Sequence, residues 1–376
     1  MATAEATIRP PRRSTLRELT SGIGTIMTKE LRSRMRGRRA FVVLTVYLSI
    51  LALLTYGVYT IIAPDARGMG AAGLASANAS ALIGQAIFAS LSIFQLILVC
   101  FIAPAFTAGQ VSLEREKQTL DLLVSTPLRP ASIVLGKLGA ALAFVVLMIV
   151  AALPIVAIVL MYGGVTVADL ARQQLVLLST ALVLGAIGLF YSALLKRTQA
   201  ATVLTYITML ALTLGTVLIF IFWTVVASRA DDAGLGAPRV APEQLLYVNP
   251  GIAMLDVIAP AEPGGNEGIA RTLAQLRGST IVFDAEAPCI GDECPAVDRF
   301  GNVVDGGATG YWLTRISITY LLIAAVLTYF ATRLVVPAGM RWAFRRRRDA
   351  RTSTEPVAQP GDPTAAGAPT IEDLER

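Results

Sequence analysis

The chain has 376 residues, of which 55% are hydrophobic and 15% charged, and it contains no histidine. Soluble domains carry roughly 25% charged residues, so this composition excludes an ordinary soluble protein and points to the membrane. The net charge of +6 comes from 32 Lys and Arg against 26 Asp and Glu, and the missing histidine excludes a Ser-His-Asp triad, a Cys-His dyad and an HExxH zinc site.

Residues 1–40 are strongly basic. Over 15–36, Leu16, Leu19, Ile23, Ile26, Met27 and Leu31 recur at helical spacing, with Arg17, Lys29, Arg32, Arg34 and Arg36 on the remaining surface. An apolar stripe with a basic face just before a span predicts a helix lying in the membrane interface. A signal peptide is not expected: the basic region is too long and the first apolar run exceeds a signal core.

Six apolar stretches follow, at 41–62, 82–108, 138–162, 174–195, 201–227 and 311–336, none with an Asp or Glu. A helix needs roughly 20 residues to cross the hydrocarbon, and each stretch meets that length. Arg315 and Arg333 lie near the two ends of the last one, within snorkelling reach of headgroups. The expected fold is an all-α integral membrane protein with six transmembrane helices. Residues 41–227 hold the first five spans, 228–310 a long loop, 311–336 the sixth span and 337–376 a basic, then disordered tail.

Between spans one and two, Gly68-x-Gly70-x-x-Gly73 matches the dinucleotide fingerprint by letter only, because no βαβ unit surrounds it. It reads as a flexible loop. Asn78-Ala79-Ser80 is a formal glycosylation sequon. On span two, Gln85, Ser92 and Gln95 share one face at i, i+7 and i+10. Glutamine amides are costly toward lipid, so this face should meet protein or a water-filled path. Cys100, in the same span, reads as a small buried hydrophobe.

Residues 109–137 separate spans two and three. Leu113, Leu120 and Leu123 would line one side of a short helix, with Glu114, Arg115, Lys117 and Asp121 elsewhere. Thr126-Pro127 and Arg129-Pro130 should end it, since the residue before proline avoids α geometry. A second short helix is expected from Pro130 to Lys137. The loop is therefore read as a helical element suited to docking a soluble partner. No GxxxxGK[ST] loop exists: Gly136-Lys137 is followed by Leu138 and preceded by Ala131 at the first glycine position. Any ATP hydrolysis belongs to another chain.

Pro104 in span two and Pro154 in span three are candidate kinks. Span four carries Ala181, Gly185, Gly188 and Ser192 on one face, a close-packing pattern. Span five carries Thr202, Thr205, Thr208 and Thr216. In the long loop, 243–258 is apolar but too short to span, is broken by Asn249-Pro250-Gly251, and reads as an interfacial or re-entrant piece. Residues 266–277 suggest a surface helix, and 281–310 hold short β-prone pieces. Asp292, Asp298 and Asp305 lack the spacing of a calcium loop. Cys289 and Cys294 are a disulfide candidate, because outside the cytoplasm such a close pair oxidises. No metal site is expected.

Positive charge gives the orientation. The N-terminal segment, Arg115, Lys117, Arg129 and Lys137, then Lys196-Arg197, then Arg341 and Arg345–Arg348 all fall on one side. The 228–310 segment on the other side carries Asp231, Asp232, Asp292 and Glu293. Both termini are thus expected in the cytoplasm of a cell (plasma) membrane protein, and the basic charge is a lipid-side signal with no nucleic-acid partner implied.

One string is specific. Glu114-Arg115-Glu116, Thr119-Leu120-Asp121-Leu122-Leu123, Thr126-Pro127-Leu128 and Gly136-Lys137 resemble the loop between spans two and three of ABC-2 type transporter permeases. Lys29-Glu30-Leu31 resembles the family's interfacial connecting helix. The resemblance implies a non-catalytic membrane subunit that pairs with a second permease subunit, identical or different, and with two ABC ATPase subunits that hold the ATP and Mg. It also implies that 110–126 is a coupling helix, with Glu114, Arg115, Glu116, Thr119, Leu120, Leu123, Thr126 and Pro127 serving the ATPase contact. Spans two and five would build the translocation path, with Gln85, Ser92, Gln95, Thr205 and Thr208 facing it. Interhelical or back-bonded hydrogen bonding is the competing expectation for those five. Export is the implied direction. A secondary transporter, or a scaffold anchoring an ATPase, stands as the alternative.

Overall fold

The computed structural model describes residues 23–24, 26–30, 32, 38–71, 76–119, 130–232, 243–258, 296–297, 303–304 and 311–335. Among these, six helices are long and apolar enough to cross a membrane, and each overlaps one of the six stretches expected from sequence over most of its length. The chain is an all-α, multi-pass membrane protein. Span one lies in the helix Arg38–Ala71, span two in Ser76–Thr107, span three in Pro130–Tyr162 and span four in Val167–Leu194. Span five runs from Thr198 to Asp232 and span six is Tyr311–Val335. Two short strands, β1 (Ala296–Val297) and β2 (Val303–Val304), pair antiparallel.

Span four is the central helix, packed against spans two, three, five and six. Its small residues explain how. A methyl on Gly188 would lie 2.2 Å from Thr107 Oγ1, and one on Gly185 would lie 2.9 Å from Leu142 Cδ2. Glycine there lets spans two and three approach the helix backbone, which is the packing the small-residue face predicts. At its start, Thr166 and Asp169 form a reciprocal capping box, and Asp169 also pairs with Arg172 at 3.0 Å. The turn before it needs glycine twice: Gly163 and Gly164 have φ of 85° and 76°, a left-handed conformation unfavourable to residues with a Cβ. Spans one, five and six leave large apolar side chains uncovered, among them Leu53, Ile61, Leu218, Phe222, Leu321 and Leu322. In hydrocarbon such faces meet lipid or another membrane subunit.

Several expectations change. The helix of span one continues through Gly68 and Gly70, and the Asn78–Ser80 stretch belongs to the first turns of span two, so neither is loop. The separate helix expected over Pro130–Lys137 is the opening of span three: Pro130 occupies the first helical turn, where its missing N–H costs nothing, and no breaker follows. Span five is not uniform, because a π turn covers Ala211–Gly215. The 243–258 piece is a 3₁₀ turn (Glu243–Val248) followed by the helix Pro250–Ile258, largely buried against spans two, four and six.

Cys100 is buried, as expected. The start of the amphipathic stretch, the 120–129 segment with Leu120, Leu123, Thr126 and Pro127, the 266–277 helix, Cys289 and Cys294, Asp292, Asp298 and Asp305, and the 337–376 tail lie outside the described residues.

Candidate coupling site

The loop after span two tightens into a five-residue helix, Ser112–Glu116. Five residues are far below what holds a helix in isolation, so its ends and side chains must be held from outside. At its N-terminus, the backbone N–H groups of Val111 and Ser112 donate to Ser192 Oγ of span four, at 2.8 and 3.0 Å. Val111 and Ser112 have no capping side chain of their own in this role, and Ser192 supplies the oxygen from 80 residues away. At the C-terminus, Gln118 takes φ of 55°. The Thr119 N–H then reaches Glu114 O at 2.9 Å and the Gln118 N–H reaches Arg115 O at 3.1 Å. These two bonds are the Schellman termination. The helix therefore stops at Glu116, well before the Thr126-Pro127 turn expected to end it.

Each of its three charged residues bonds a group of the bundle. Glu114 Oε1 accepts from Lys137 Nζ at 2.6 Å. Arg115 Nη2 donates to Ala193 O at the end of span four, 3.2 Å away. Glu116 Oε1 accepts from the Thr198 N–H at 2.7 Å, in the first turn of span five. A carboxylate there meets unpaired backbone N–H groups and the positive end of the helix dipole.

Lys137 is the centre of this corner. Its side chain is 3% exposed, and its ammonium also donates to Glu30 Oε1 at 2.9 Å. One lysine on span three thus joins the N-terminal segment to the loop helix. Gly136, the residue before it, makes the approach possible: a methyl there would sit 2.9 Å from Ile26 Cβ and 3.3 Å from Ile23 O. Residues 23–24, 26–30 and 32 are helical, with Ile26 buried and Lys29 and Arg32 exposed, so an apolar side rests on span three and a basic side faces away. A buried cation needs such partners, since desolvating it alone costs several kcal/mol or more.

A model of the family described as ABC-2 family transporter protein matches residues 24–262. The chain belongs to the ABC-2 transporter family. No curated protein matches it. An ABC-2 permease is a membrane subunit, typically non-catalytic, and generally works with ABC ATPase partners. The matched region of this permease contains the whole corner, from Glu30 through the loop helix and Lys137 to Ser192 and Thr198.

Of the residues tied to coupling by resemblance, Glu114 and Arg115 are half-buried toward the bundle, and Glu116 is exposed but bonds the Thr198 N–H. Thr119 is exposed beyond the helix, beside Lys117 and Gln118, and Leu113 is exposed on the helix itself. Gln85, Ser92 and Gln95 are buried inside the permease's own bundle. Gln85 Nε2 donates to Gly164 O at 3.2 Å, and Gln95 Oε1 accepts from Gln173 Nε2 of span four at 2.8 Å. Thr205 Oγ1 donates to its own helix at Ala201 O, 2.7 Å. Thr208 Oγ1 lies between Leu204 O and the Tyr191 hydroxyl, at 2.9 and 3.0 Å. Three residues were not singled out for these roles: Gln173, Ser192 as a cap, and Asn249. A glutamine pair, Gln173-Gln174, near the start of an apolar span was the available signal for the first.

Proposed function

We propose that this permease is half of the membrane part of an ATP-driven exporter in the cell membrane, with both termini cytoplasmic. A second permease subunit, identical or related, completes the membrane part. Two ABC ATPase subunits bind ATP and Mg on the cytoplasmic side. The 109–137 loop is the coupling element, and force from the ATPases enters through its exposed outer residues, including Leu113, Lys117 and Thr119, and through Leu120, Leu123, Thr126 and Pro127.

The observation that carries this reading is the set of ties on the Ser112–Glu116 helix. Ser192, Ala193, Thr198 and Lys137 hold it to spans three, four and five. A loop that only covered the bundle end would not need every charged group engaged. A lever does, because slack between loop and spans would dissipate the stroke. Glu114, Arg115 and Glu116 are then the inner grip of the lever, with the ATPase contact made by its outer face. Gln85, Ser92, Gln95, Thr205 and Thr208 join the path only when spans two, four and five separate, since they are now buried or half-buried within the bundle.

The test is purification of the tagged permease from its native membrane. A stoichiometric, Walker-containing ATPase is expected to elute with it and to hydrolyse ATP. A Glu114→Ala, Arg115→Ala variant is expected to insert normally while losing transport-coupled hydrolysis. A permease that elutes alone, or a double variant with full coupling, would overturn the reading.

A further inference from the structure

Span five changes its winding halfway. α turns run from Thr198 to Leu210, the π turn covers Ala211–Gly215, and α geometry resumes at Thr216. A π turn accommodates one residue more than an α turn and opens the local hydrogen-bond ladder. Here a side chain from the fifth-to-sixth connection fills the opening. Asn249 Nδ2 donates to Thr213 O at 2.7 Å and to Thr216 Oγ1 at 2.8 Å. Thr216 keeps its own proton on Leu212 O, 2.8 Å away, so its oxygen is available as an acceptor.

The same amide works at its other end. Asn249 Oδ1 accepts from the N–H groups of Gly251 and Ile252, at 2.8 and 3.4 Å, and so caps the helix Pro250–Ile258. The neighbours fix the amide's orientation: only its NH₂ can serve the Thr213 carbonyl, and only its oxygen can serve an N–H. Asn249 is 3% exposed. The 243–258 piece is also held without it. Tyr320 donates its hydroxyl to Val248 O at 2.8 Å, the Leu313 N–H donates to Asp256 Oδ2 at 3.1 Å, and Arg315 bonds the Tyr247 hydroxyl.

We propose that Asn249 is a positioning residue that holds span five in its π form, and that its release lets the turn rewind as α. Rewinding returns one residue to the helix. The half Thr216–Asp232 then turns by about 100° and advances by about 1.5 Å relative to the half Thr198–Leu210. The π turn lets Phe220 occupy the place that an unbroken α-helix gives to residue 219. Phe220 is 6% exposed and Ile219 is 53% exposed. After rewinding, Ile219 moves into the covered place and Phe220 turns outward. The 3₁₀ turn Glu243–Val248, which packs on this half of the span, would meet a different face. That this motion gates the far end of a transport path rests on the permease reading; the rewinding itself does not.

The test uses the full chain in lipid bilayers, with native cysteines replaced and a nitroxide on a single cysteine at 219 or 220. Collision with molecular oxygen, which concentrates in the hydrocarbon, reports lipid exposure. The ratio of collision rates, 219 over 220, is expected above one in the parent chain. Asn249→Ser keeps a capping oxygen for the Pro250 helix but does not reach Thr213 O, and the ratio is expected to fall below one. Adding a deletion of Leu214 removes the surplus residue, so the helix is α throughout without turning, and the ratio is expected to return above one. A ratio unchanged or equal to one in Asn249→Ser would overturn the proposal, as would a ratio that stays below one after the deletion. ATP hydrolysis and transport are not read, so a failure here leaves the ATPase pairing standing, and the converse also holds.

Discussion

Removing either carboxylate from Lys137 is expected to cost little, while removing both costs a great deal. At an effective dielectric of about 20, a unit charge at the 2.6 Å seen for Glu114 interacts by roughly 6 kcal/mol before desolvation. Glu30 at 2.9 Å supplies nearly as much. One carboxylate therefore suffices to keep the buried ammonium paired. Among the described residues, the second gives Lys137 one carboxylate more than its single charge balances, and the outer oxygens Glu30 Oε2 and Glu114 Oε2 are buried with no hydrogen-bond partner. Glu30→Gln and Glu114→Gln are each expected to lower local stability by no more than about 1 kcal/mol. The double variant strands a buried cation, at about 3–5 kcal/mol. The assay is amide hydrogen exchange of residues 112–119 in bilayers. Because 1.36 kcal/mol is a factor of ten, exchange should accelerate less than tenfold in each single variant and by roughly two to three and a half orders of magnitude in the double. If the double variant equals the sum of the singles within about 0.5 kcal/mol, Lys137 is not shared and the reasoning fails.

Ser192→Ala leaves the Val111 and Ser112 N–H groups without their acceptor, at about 1–3 kcal/mol of local stability, read as faster exchange at 111–113 with the six spans intact by circular dichroism. Gly188→Ala forces a methyl against Thr107 Oγ1, and overpacking of this kind costs about 1–3 kcal/mol; thermal unfolding in detergent should shift down and should recover in part with Thr107→Ala, which removes the clashing oxygen. Cysteine at Lys196 is expected to react with an impermeant thiol reagent only from the cytoplasm, and cysteine at Arg172 only from outside; the reverse pattern would overturn the orientation drawn from charge.

The spans were legible because each is a long run of apolar side chains, a signal that needs no knowledge of the partner helices. The close-packed face of span four was legible for a similar reason: Ala181, Gly185, Gly188 and Ser192 recur on one side of a single helix. The corner around Lys137 was only half legible. Lys29-Glu30-Leu31, Glu114 and Gly136-Lys137 each stood out, but nothing local says that Lys137 binds a glutamate 107 positions earlier. The bonds of Arg115 and Glu116 were illegible for the same reason, since their partners are backbone groups at the ends of other helices. The π turn had no signature at all. Ala-Leu-Thr-Leu-Gly is ordinary membrane-helix sequence, and its winding depends on an asparagine 36 residues further along. Asn249-Pro250-Gly251 was read as a break between two short pieces, which it is, but a break motif does not reveal what the asparagine amide reaches.

Span five is tied to pieces outside the spans at two levels, Thr198 to the loop helix and Thr213 to Asn249, and between them Tyr206 and Thr208 bond spans two and four. The fifteen residue steps from Thr198 to Thr213 make a helical strut of about 23 Å, stiff along its axis. A displacement at one tie must then appear at the other almost undiminished, as a piston stroke. The upper tie sits inside the π turn Ala211–Gly215, whose surplus residue is worth about 1.5 Å of length. Strokes shorter than that can be absorbed by rewinding; longer ones must move the 243–258 piece itself.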